Sequence, residues 1–293
     1  MTADRDAISD GVTLKRLGRE FRWPDGRKVA VVFNIAYEGW SDGVAPGLGP
    51  MGNPLPAGTF DTNALSWGTY GQTRGLERLL RVLDLRHITG SVMISGIFAQ
   101  RSPETVKAVS GAGHEIVAHG FAQDLVPAKL TAEEVNRDIL KTTEALTSIT
   151  GKSPAGWISP RGTPHPQSVK FLLDCGYMWN GDVFDDDRPY LQFHSGRRIV
   201  AIPLTMEIND LPHAMRFGQS PRQLVEKFED LLAFATARES EAIMIDVTAH
   251  AHVYGRPAGA WAIDEIAQRA LGCKAAWITT RQNMAAYVSS ATL

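Results

Sequence analysis

The sequence predicts an α/β fold in which about seven parallel strands, each followed by a helix, form one barrel-like domain. Two observations carry this prediction. Apolar, β-branched runs alternate with segments of helical spacing about seven times along the chain. No linker, low-complexity segment or internal repeat divides these units, so residues 29–293 are predicted to form a single domain after an N-terminal arm of residues 1–28.

The first strand is the clearest single element. Residues 29–35 are a continuous, largely β-branched run, as expected for a strand that is covered on both faces. Residues 36–68 contain many glycines and prolines, together with Trp40, Phe60 and Trp67, and show almost no periodicity. Loops of this length in a compact domain are usually functional or disordered, and the aromatic residues favour a functional loop.

The later elements follow from spacing and from capping residues. Leucines at helical spacing predict a helix over 75–86, and Thr131 with Glu134 forms a capping box before a helix that extends to about residue 150. Pro221 favours the first turn of a helix over 221–238. The other strands are predicted at 90–95, 115–118, 155–158, 177–182, 198–202, 241–246 and 275–277, and the other helices at 103–112, 166–175, 260–271 and 280–289.

The composition argues against several classes of protein. The formal charge of −2 argues against nucleic acid or an anionic membrane as the main partner. No run of eighteen apolar residues and no signal-peptide core is present, and the two cysteines make no disulfide framework, so a cytoplasmic protein is expected. Dinucleotide-binding, Walker-type and Gly-x-Ser-x-Gly motifs are also missing, so no organic cofactor is predicted.

Chemically capable side chains recur where the predicted strands end. Glu38, His119 and Arg161 follow the first, third and fourth strands, Asp185–Asp187 follow the fifth, and His250 follows the strand at 241–246. In parallel α/β barrels the loops at the carboxyl ends of the strands build the active site. The sequence therefore predicts that these side chains meet in one pocket.

Six segments around these residues resemble the polysaccharide deacetylase superfamily, over about residues 25 to 290. They are 33–39 (FNIAYEG), 113–120 (GHEIVAHG), 157–162 (WISPRG), 180–190 (NGDVFDDDRPY), 250–257 (HAHVYGRP) and 277–281 (WITTR). The likeness is to the cytosolic small-molecule branch, which includes a purine-catabolism allantoinase and the cyclic imide hydrolases. It implies an irregular, distorted β/α barrel and a homo-oligomer.

The resemblance also implies roles for three side chains. Glu38 stands where the family has an acidic pair, and it is expected to activate water. Arg161 matches an arginine that orients the catalytic carboxylate, although it could equally bind a carbonyl or carboxylate of the substrate. His250 matches a histidine that acts as the general acid. His252 would point to the opposite side in an extended chain, so it is interpreted as a supporting or structural residue.

A metal site is left open by the sequence. His119 matches the first histidine of the family's His-x-x-x-His metal motif, but Gln123 occupies the second position, and glutamine is a poor zinc ligand. Either Asp124 or Glu38 completes a divalent metal site with His119, such as a zinc site, or the metal has been lost and His119 polarises the substrate or orients water.

The predicted substrate is small and flat. Aromatic walls with a few placed polar groups are typical of small-molecule pockets. Of the Asp185–Asp187 run, one is expected to bind Arg161 or a backbone amide. The predicted substrate-binding residues are Tyr37, Trp40, Trp67, Tyr70, Gln123 and Trp179.

Three functions are compatible with these residues. The first is hydrolysis of a cyclic imide or cyclic amide related to maleimide, succinimide or hydantoin. The second is N-deacetylation of an amino sugar or peptidoglycan unit, which the lost second histidine and the expected lack of an export signal disfavour. The third is a non-catalytic binding protein with an eroded site.

Overall fold

A computed structural model describes residues 12–47, 49–52, 55–56 and 58–291. The strands in these ranges are β1 (Val12–Lys15), β2 (Val29–Tyr37), β3 (Ser91–Ile94), β4 (Glu115–Ala118), β5 (Gly156–Trp157), β6 (Trp179–Asn180), β7 (Tyr190–His194), β8 (Arg197–Ala201), β9 (Ile208–Asn209), β10 (Ile243–His250) and β11 (Ala276–Thr279). The α-helices are α1 (Thr62–Tyr70), α2 (Leu76–Leu85), α3 (Phe98–Arg101), α4 (Pro103–Gly111), α5 (Ala132–Thr150), α6 (Ser168–Asp174), α7 (Pro221–Ala237), α8 (Pro257–Gly272) and α9 (Arg281–Ala291).

The strands form one sheet whose order is β1-β7-β8-β6-β5-β4-β3-β2-β10-β9, with β11 beside the first half of β2. Every pairing from β8 to β9 is parallel, and so is that of β11, whereas β1 and β7 are added in antiparallel pairings at one end. The predicted α/β architecture with a mostly parallel sheet and outer helices is confirmed. The predicted N-terminal arm contributes β1 to this sheet, and residues 1–11 of that arm lie outside the described residues.

The sheet is buried on both faces, as the continuous apolar pattern of the first strand predicts. In β2, Val31 and Phe33 pack with the surrounding helices, whereas Ala30 and Val32 pack with the side chains of the interior. Met284 of helix α9 packs in the same interior cluster as Ala30 and Val32.

A single arginine spans the interior of the sheet. Arg281 is bonded to Asp246 on β10 and to Asn34 on β2, and it also donates to the carbonyl of Ile202, directly after β8. Six steps along the strand order separate β8 from β10. The sheet therefore curves enough to bring both sides to one side chain, which matches a distorted barrel.

The structure corrects several sequence-based elements and boundaries. The predicted loop over 36–68 ends at α1, which begins at Thr62 with Asp61 as its N-cap. A π-helical turn, Gly71–Gly75, joins α1 to α2. The hairpin partner β7 was missed, and β10 continues to His250, four residues beyond its predicted end.

Strand register places the carboxyl ends of the central strands side by side. Tyr37 pairs with Ile94, Ile94 with Ala118, and His250 with Ala36. The residues that immediately follow β2 and β4 therefore emerge at one edge of the sheet together with the last residue of β10. In the described ranges, no helix has the length and apolar character needed to cross a membrane.

Candidate active site

The site is built around the carboxylate of Glu38, the residue after β2. Its Oε1 lies 3.4 Å from Nε2 of His119 and 3.8 Å from Nε2 of His250, and its Oε2 lies 3.8 Å from Nδ1 of His252. The Glu38 side chain is 11% exposed, so the cluster is largely withdrawn from water yet reachable. The structure thus brings together three of the residues that the strand-end pattern placed in one pocket, Glu38, His119 and His250, with His252 as a fourth.

His250 is held by a buried aspartate that the sequence analysis did not single out. Asp210, next to the end of β9, has its Oδ1 2.6 Å from Nδ1 of His250, and its Oδ2 accepts the backbone N–H groups of His250 and Tyr254. Because Asp210 can only accept when ionised, Nδ1 carries a hydrogen and Nε2 is the atom directed at Glu38. The short β9 gave too weak a pattern to reveal Asp210.

The orientation of His252 differs from the sequence-based interpretation. An extended chain would have placed His250 and His252 on opposite sides, but β10 ends at His250 and residues 251–255 form a turn. Both imidazoles therefore face Glu38, with their ring centroids 5.8 Å apart.

Burial and charge set the protonation states of this cluster. Burial alone would raise the pKa of Glu38, but the nearby imidazoles, led by His250, hold it at about 2. Burial would lower the pKa of His250, but Asp210 and Glu38 raise it to about 9. For His252, burial outweighs the attraction of Glu38 and lowers the pKa to about 4. At neutral pH the site therefore contains an ionised Glu38, a charged His250 and a neutral His252.

His119 is fixed by its other ring nitrogen. Its Nδ1 lies 2.7 Å from the carbonyl oxygen of Ile158, which leaves Nε2 facing Glu38. The backbone there is held in turn by Asp182, which accepts both the N–H and the hydroxyl of Ser159 at 2.7 Å. Burial raises the pKa of Asp182 to about 6.

The predicted substrate-binding residues divide into two groups. Trp40 and Trp67 pack edge-to-face against His252, with ring centroids 5.5 and 4.6 Å away, so they belong to the site. Tyr70 makes its contacts elsewhere: its hydroxyl accepts a hydrogen bond from Arg78, and Arg256 lies over its ring.

The other two aromatic residues make their contacts in the core. Tyr37 stacks on Phe98 and its hydroxyl lies 3.2 Å from Ser102, whereas the indole N–H of Trp179 donates to Glu115.

Comparisons with known proteins agree with this architecture. A family model described as polysaccharide deacetylase matches residues 51–179. The structure is similar to that of the Puue allantoinase, with 26% identity, a TM-score of 0.82 and 92% of each chain covered. A probable polysaccharide deacetylase from Pseudomonas aeruginosa PAO1 is also 26% identical, with a TM-score of 0.81 over 90% of this chain and 92% of that one.

The chain is thus similar in sequence and in fold to the polysaccharide deacetylase superfamily. A peptidoglycan deacetylase of Helicobacter pylori is 24% identical over 259 residues, which are 76% of this chain and 85% of that protein. This similarity supports the coarser functional expectation, a hydrolase that acts on carbon–nitrogen bonds.

The residues at the superfamily's metal positions do not fit a divalent ion. Gln123 takes the place of the second histidine, and glutamine is a poor zinc ligand. Its amide nitrogen donates to Ser95 Oγ at 3.0 Å and to the His119 carbonyl at 2.9 Å, which fixes this side chain. Asp124 accepts the backbone N–H of Ser41 at 2.8 Å. Across the described ranges, no group of three or more His, Cys, Asp or Glu side chains is arranged to hold a metal ion.

Arg161, which matches the arginine of the superfamily, lies on the protein surface. Arg161 occupies a left-handed turn, with φ of 61°, and its side chain is exposed. A Cβ placed on Gly120 would lie only 2.5 Å from the side chain of Pro160, the residue before Arg161. The turn that carries Arg161 therefore packs directly against Gly120, the residue after His119.

The Asp185–Asp187 run is engaged elsewhere. Asp185 and Asp186 bind Arg16, and Asp186 also accepts the backbone N–H of Arg188 at 3.0 Å. One of these aspartates was expected to bind either Arg161 or a backbone amide, and the backbone alternative is confirmed.

Proposed function

We propose that this chain hydrolyses a carbon–nitrogen bond in a small cyclic imide or cyclic amide. The observation that carries the proposal is one carboxylate, Glu38, faced by imidazoles at 3.4 to 3.8 Å, one of which is charged by its own buried aspartate. Such a cluster contains both groups that hydrolysis needs, one to receive a proton from water and one to give a proton to nitrogen.

Glu38 is proposed to receive the proton of the attacking water. The water oxygen forms a bond to the ring carbonyl carbon while its proton passes to Glu38. A pKa of about 2 makes Glu38 a weak base in the resting site. That low pKa depends on the charge of His250, so it rises as His250 gives up its proton during the reaction.

His250 is proposed to protonate the departing nitrogen. With a pKa of about 9 it is charged at neutral pH, and its Nε2 is the free position of the ring. As the carbon–nitrogen bond breaks, the nitrogen takes this proton and leaves as the amide or amine end of the opened ring. Glu38 then returns the water-derived proton across the 3.8 Å to His250, and the site is restored.

Substrate binding is assigned to the walls and rim of the site. Trp40 and Trp67 offer flat apolar surfaces next to the acid–base cluster, which suits a small planar ring. The amide hydrogens of Gln123 are both bonded, so the exposed guanidinium of Arg161 is the better candidate to bind a substrate carbonyl or carboxylate.

A second candidate is N-deacetylation of an amino sugar. It is favoured by the peptidoglycan deacetylase named among the relatives. The proton transfers of Glu38 and His250 would be the same, because both reactions break a carbon–nitrogen bond of an amide.

One set of assays separates the candidates. Purified protein is incubated with maleimide, succinimide, hydantoin and allantoin, and separately with chitooligosaccharides, while ring opening and acetate release are measured by chromatography. Turnover of a cyclic compound supports the proposal, and acetate release alone favours the deacetylase. If no compound is turned over but one binds tightly, the chain is a non-catalytic binding protein.

The same assays test for a metal. The proposed steps use no metal ion, so dialysis against a chelator should leave turnover unchanged, and elemental analysis should find less than one divalent ion per chain. Loss of activity on chelation, with recovery on adding Zn²⁺, would favour the alternative in which a divalent ion is bound with His119. Sedimentation of the same sample tests the predicted homo-oligomer.

A further inference from the structure

We propose that His252 is a positioning residue for Glu38, and that it acts through its ring nitrogen rather than through its bulk. This inference rests on the proposed function, because it assigns a role in the same site.

The two oxygens of Glu38 face different imidazoles. Oε1 is directed at His119 and His250, whereas Oε2 is directed at Nδ1 of His252. A carboxylate that is contacted through one oxygen can still rotate about its terminal torsion, which is broad for glutamate. A donor on the second oxygen fixes the carboxylate plane, and thus the direction in which Glu38 meets a water molecule.

His252 carries the right polarity for this task. Its Nδ1 lies on the side of Glu38, and an imidazole nitrogen donates when it bears a ring hydrogen. The tautomer with the hydrogen on Nδ1 is the one that a carboxylate oxygen attracts. At 3.8 Å the pair is longer than a direct hydrogen bond, so in this state the attraction is electrostatic.

The surroundings of His252 hold the ring in a single orientation. Trp67 and Trp40 meet it edge-to-face with interplanar angles of 87° and 86°, and the side chain is only 3% exposed. The backbone is fixed as well, because a Cβ placed on Gly71 would lie 3.2 Å from the His252 nitrogen. The imidazole therefore cannot turn away from Glu38 without displacing both indoles.

Two substitutions at position 252 separate a donor role from a packing role. His252→Phe keeps an aromatic ring between the two tryptophans but removes the nitrogen. His252→Asn removes the ring but keeps an N–H close to the position of Nδ1. Each variant is assayed for kcat and KM with whichever of maleimide, succinimide, hydantoin or allantoin the wild-type protein opens.

We expect His252→Phe to lower kcat by about 30- to 100-fold with KM changed less than about threefold, because a base misplaced by about 1 Å can cost a hundredfold. His252→Asn should stay within about fivefold of the wild-type kcat, even if it melts at a lower temperature. The reverse order, with the phenylalanine variant active and the asparagine variant impaired, would show that His252 only fills space. Equal losses in both variants would also overturn the proposal.

Controls keep this test separate from the proposed function. His194 lies at the end of β7, at the opposite edge of the sheet, and His194→Phe and His194→Asn should leave kcat unchanged. His252→Gln, a longer amide donor, replaces the asparagine variant if that protein does not melt cooperatively. Full activity of Glu38→Gln would sink the proposed function itself. An inactive Glu38→Gln beside a fully active His252→Phe would sink only the present inference.

Discussion

At the scale of single residues, the charge of Glu38 separates a working hydrolase from a binding protein. Glu38→Gln keeps the shape of the side chain but can neither accept a proton nor hold the charge on His250. General acid–base groups contribute about 10² to 10⁴-fold, so we expect kcat/KM on the ring substrate to fall by about a thousandfold. Thermal melting should show a folded protein.

Glu77 provides the matched control for this substitution. It lies on the exposed face of α2, paired with Arg81 four residues away, and Glu77→Gln should change neither activity nor melting measurably. A Glu38→Gln protein that retains more than a tenth of wild-type activity would contradict the role of Glu38 as the proton acceptor.

Asp210 sets the pH range in which the site works. Activity requires an ionised Glu38, which is present above about pH 2, and a charged His250, which is lost as the pH rises through about 9. Log kcat/KM should therefore be flat through neutral pH and fall above about pH 9. Asp210→Asn removes the strongest attraction on the charged ring, so the alkaline fall should move down by about one to two pH units.

A surface pair serves as the control for this pH profile. Asp264 pairs with Arg86 on partly exposed helix surfaces, and Asp264→Asn should leave the profile in place. An unchanged alkaline limb in Asp210→Asn would mean that another group supplies the proton.

The sequence reveals Glu38, His119 and His250 because each lies at the end of a strand whose apolar run is visible. It does not reveal Asp210 or Asp182. Strand β9 is two residues long, too short to show a periodicity, whereas Asp182 lies within the strand predicted at 177–182. The partners of both aspartates are distant in the chain, so no local pattern gives their roles. The direction of His252 also depends on where β10 ends, which a run of apolar residues does not specify.

At the scale of elements, the π-helical turn Gly71–Gly75 packs directly against the turn at 251–255, which carries His252. A Cβ on Gly75 would lie 1.8 Å from the Ala251 carbonyl oxygen, and one on Gly255 would lie 2.5 Å from the Gly75 Cα. Arg78 on α2 then donates to the carbonyl of Gly255. Two backbones approach here at a distance that only glycine permits.

Gly75→Ala has two opposite effects on stability, a gain in helix propensity and a steric clash with the 251–255 turn. Alanine in a helix is favoured over glycine by about 1 kcal/mol, but here its methyl group would overlap a backbone oxygen. We expect the overlap to win, with unfolding free energy reduced by about 1 to 3 kcal/mol and kcat reduced by about a hundredfold as His252 shifts.

Gly111 gives the opposite expectation in the same chain. It lies at the end of α4, and the position that an alanine methyl group would take there has no neighbouring atom within 4 Å, so Gly111→Ala should be neutral or slightly stabilising. Urea unfolding and turnover of both variants test the pair. If the two alanine variants have the same stability and turnover, the packing of Gly75 against the 251–255 turn does not hold that turn in place.

The elements that sequence predicts well are those whose signals are local. The capping box of α5, with Thr131 and Glu134, and the doubly buried β2 lie where the pattern places them. Helix α1 was hidden because a short helix beginning after a glycine- and proline-rich stretch shows little amphipathic pattern. Strand β7, the hairpin partner of the predicted β8, was missed because its five residues, YLQFH, alternate only briefly before the turn at Ser195 and Gly196.

At the scale of the whole molecule, Arg281 and Asp246 link the end of the chain to the centre of the sheet. Both side chains are 1% exposed or less, and Asn34 and the Ile202 carbonyl complete the hydrogen bonds of the guanidinium. No local pattern predicts this link, because it joins residues of β2, β10 and α9 and the residue after β8, which are far apart in sequence. It is a property of the fold rather than of any segment.

Breaking this pair should destabilise the protein far more than breaking a surface pair. Arg281→Met leaves Asp246 buried without its cation, and loss of one partner of a buried pair costs about 3 to 5 kcal/mol. Removing both charges in Arg281→Met with Asp246→Asn should recover part of that loss, because no buried charge is then left unpaired.

Arg16, whose contacts with Asp185 and Asp186 are partly exposed, is the control, and Arg16→Ala should cost no more than about 1 kcal/mol. Urea unfolding of the four proteins measures these differences. A cost below about 1 kcal/mol for Arg281→Met would mean that the interior admits water at this point, and the sheet would then be held together by its apolar contacts alone.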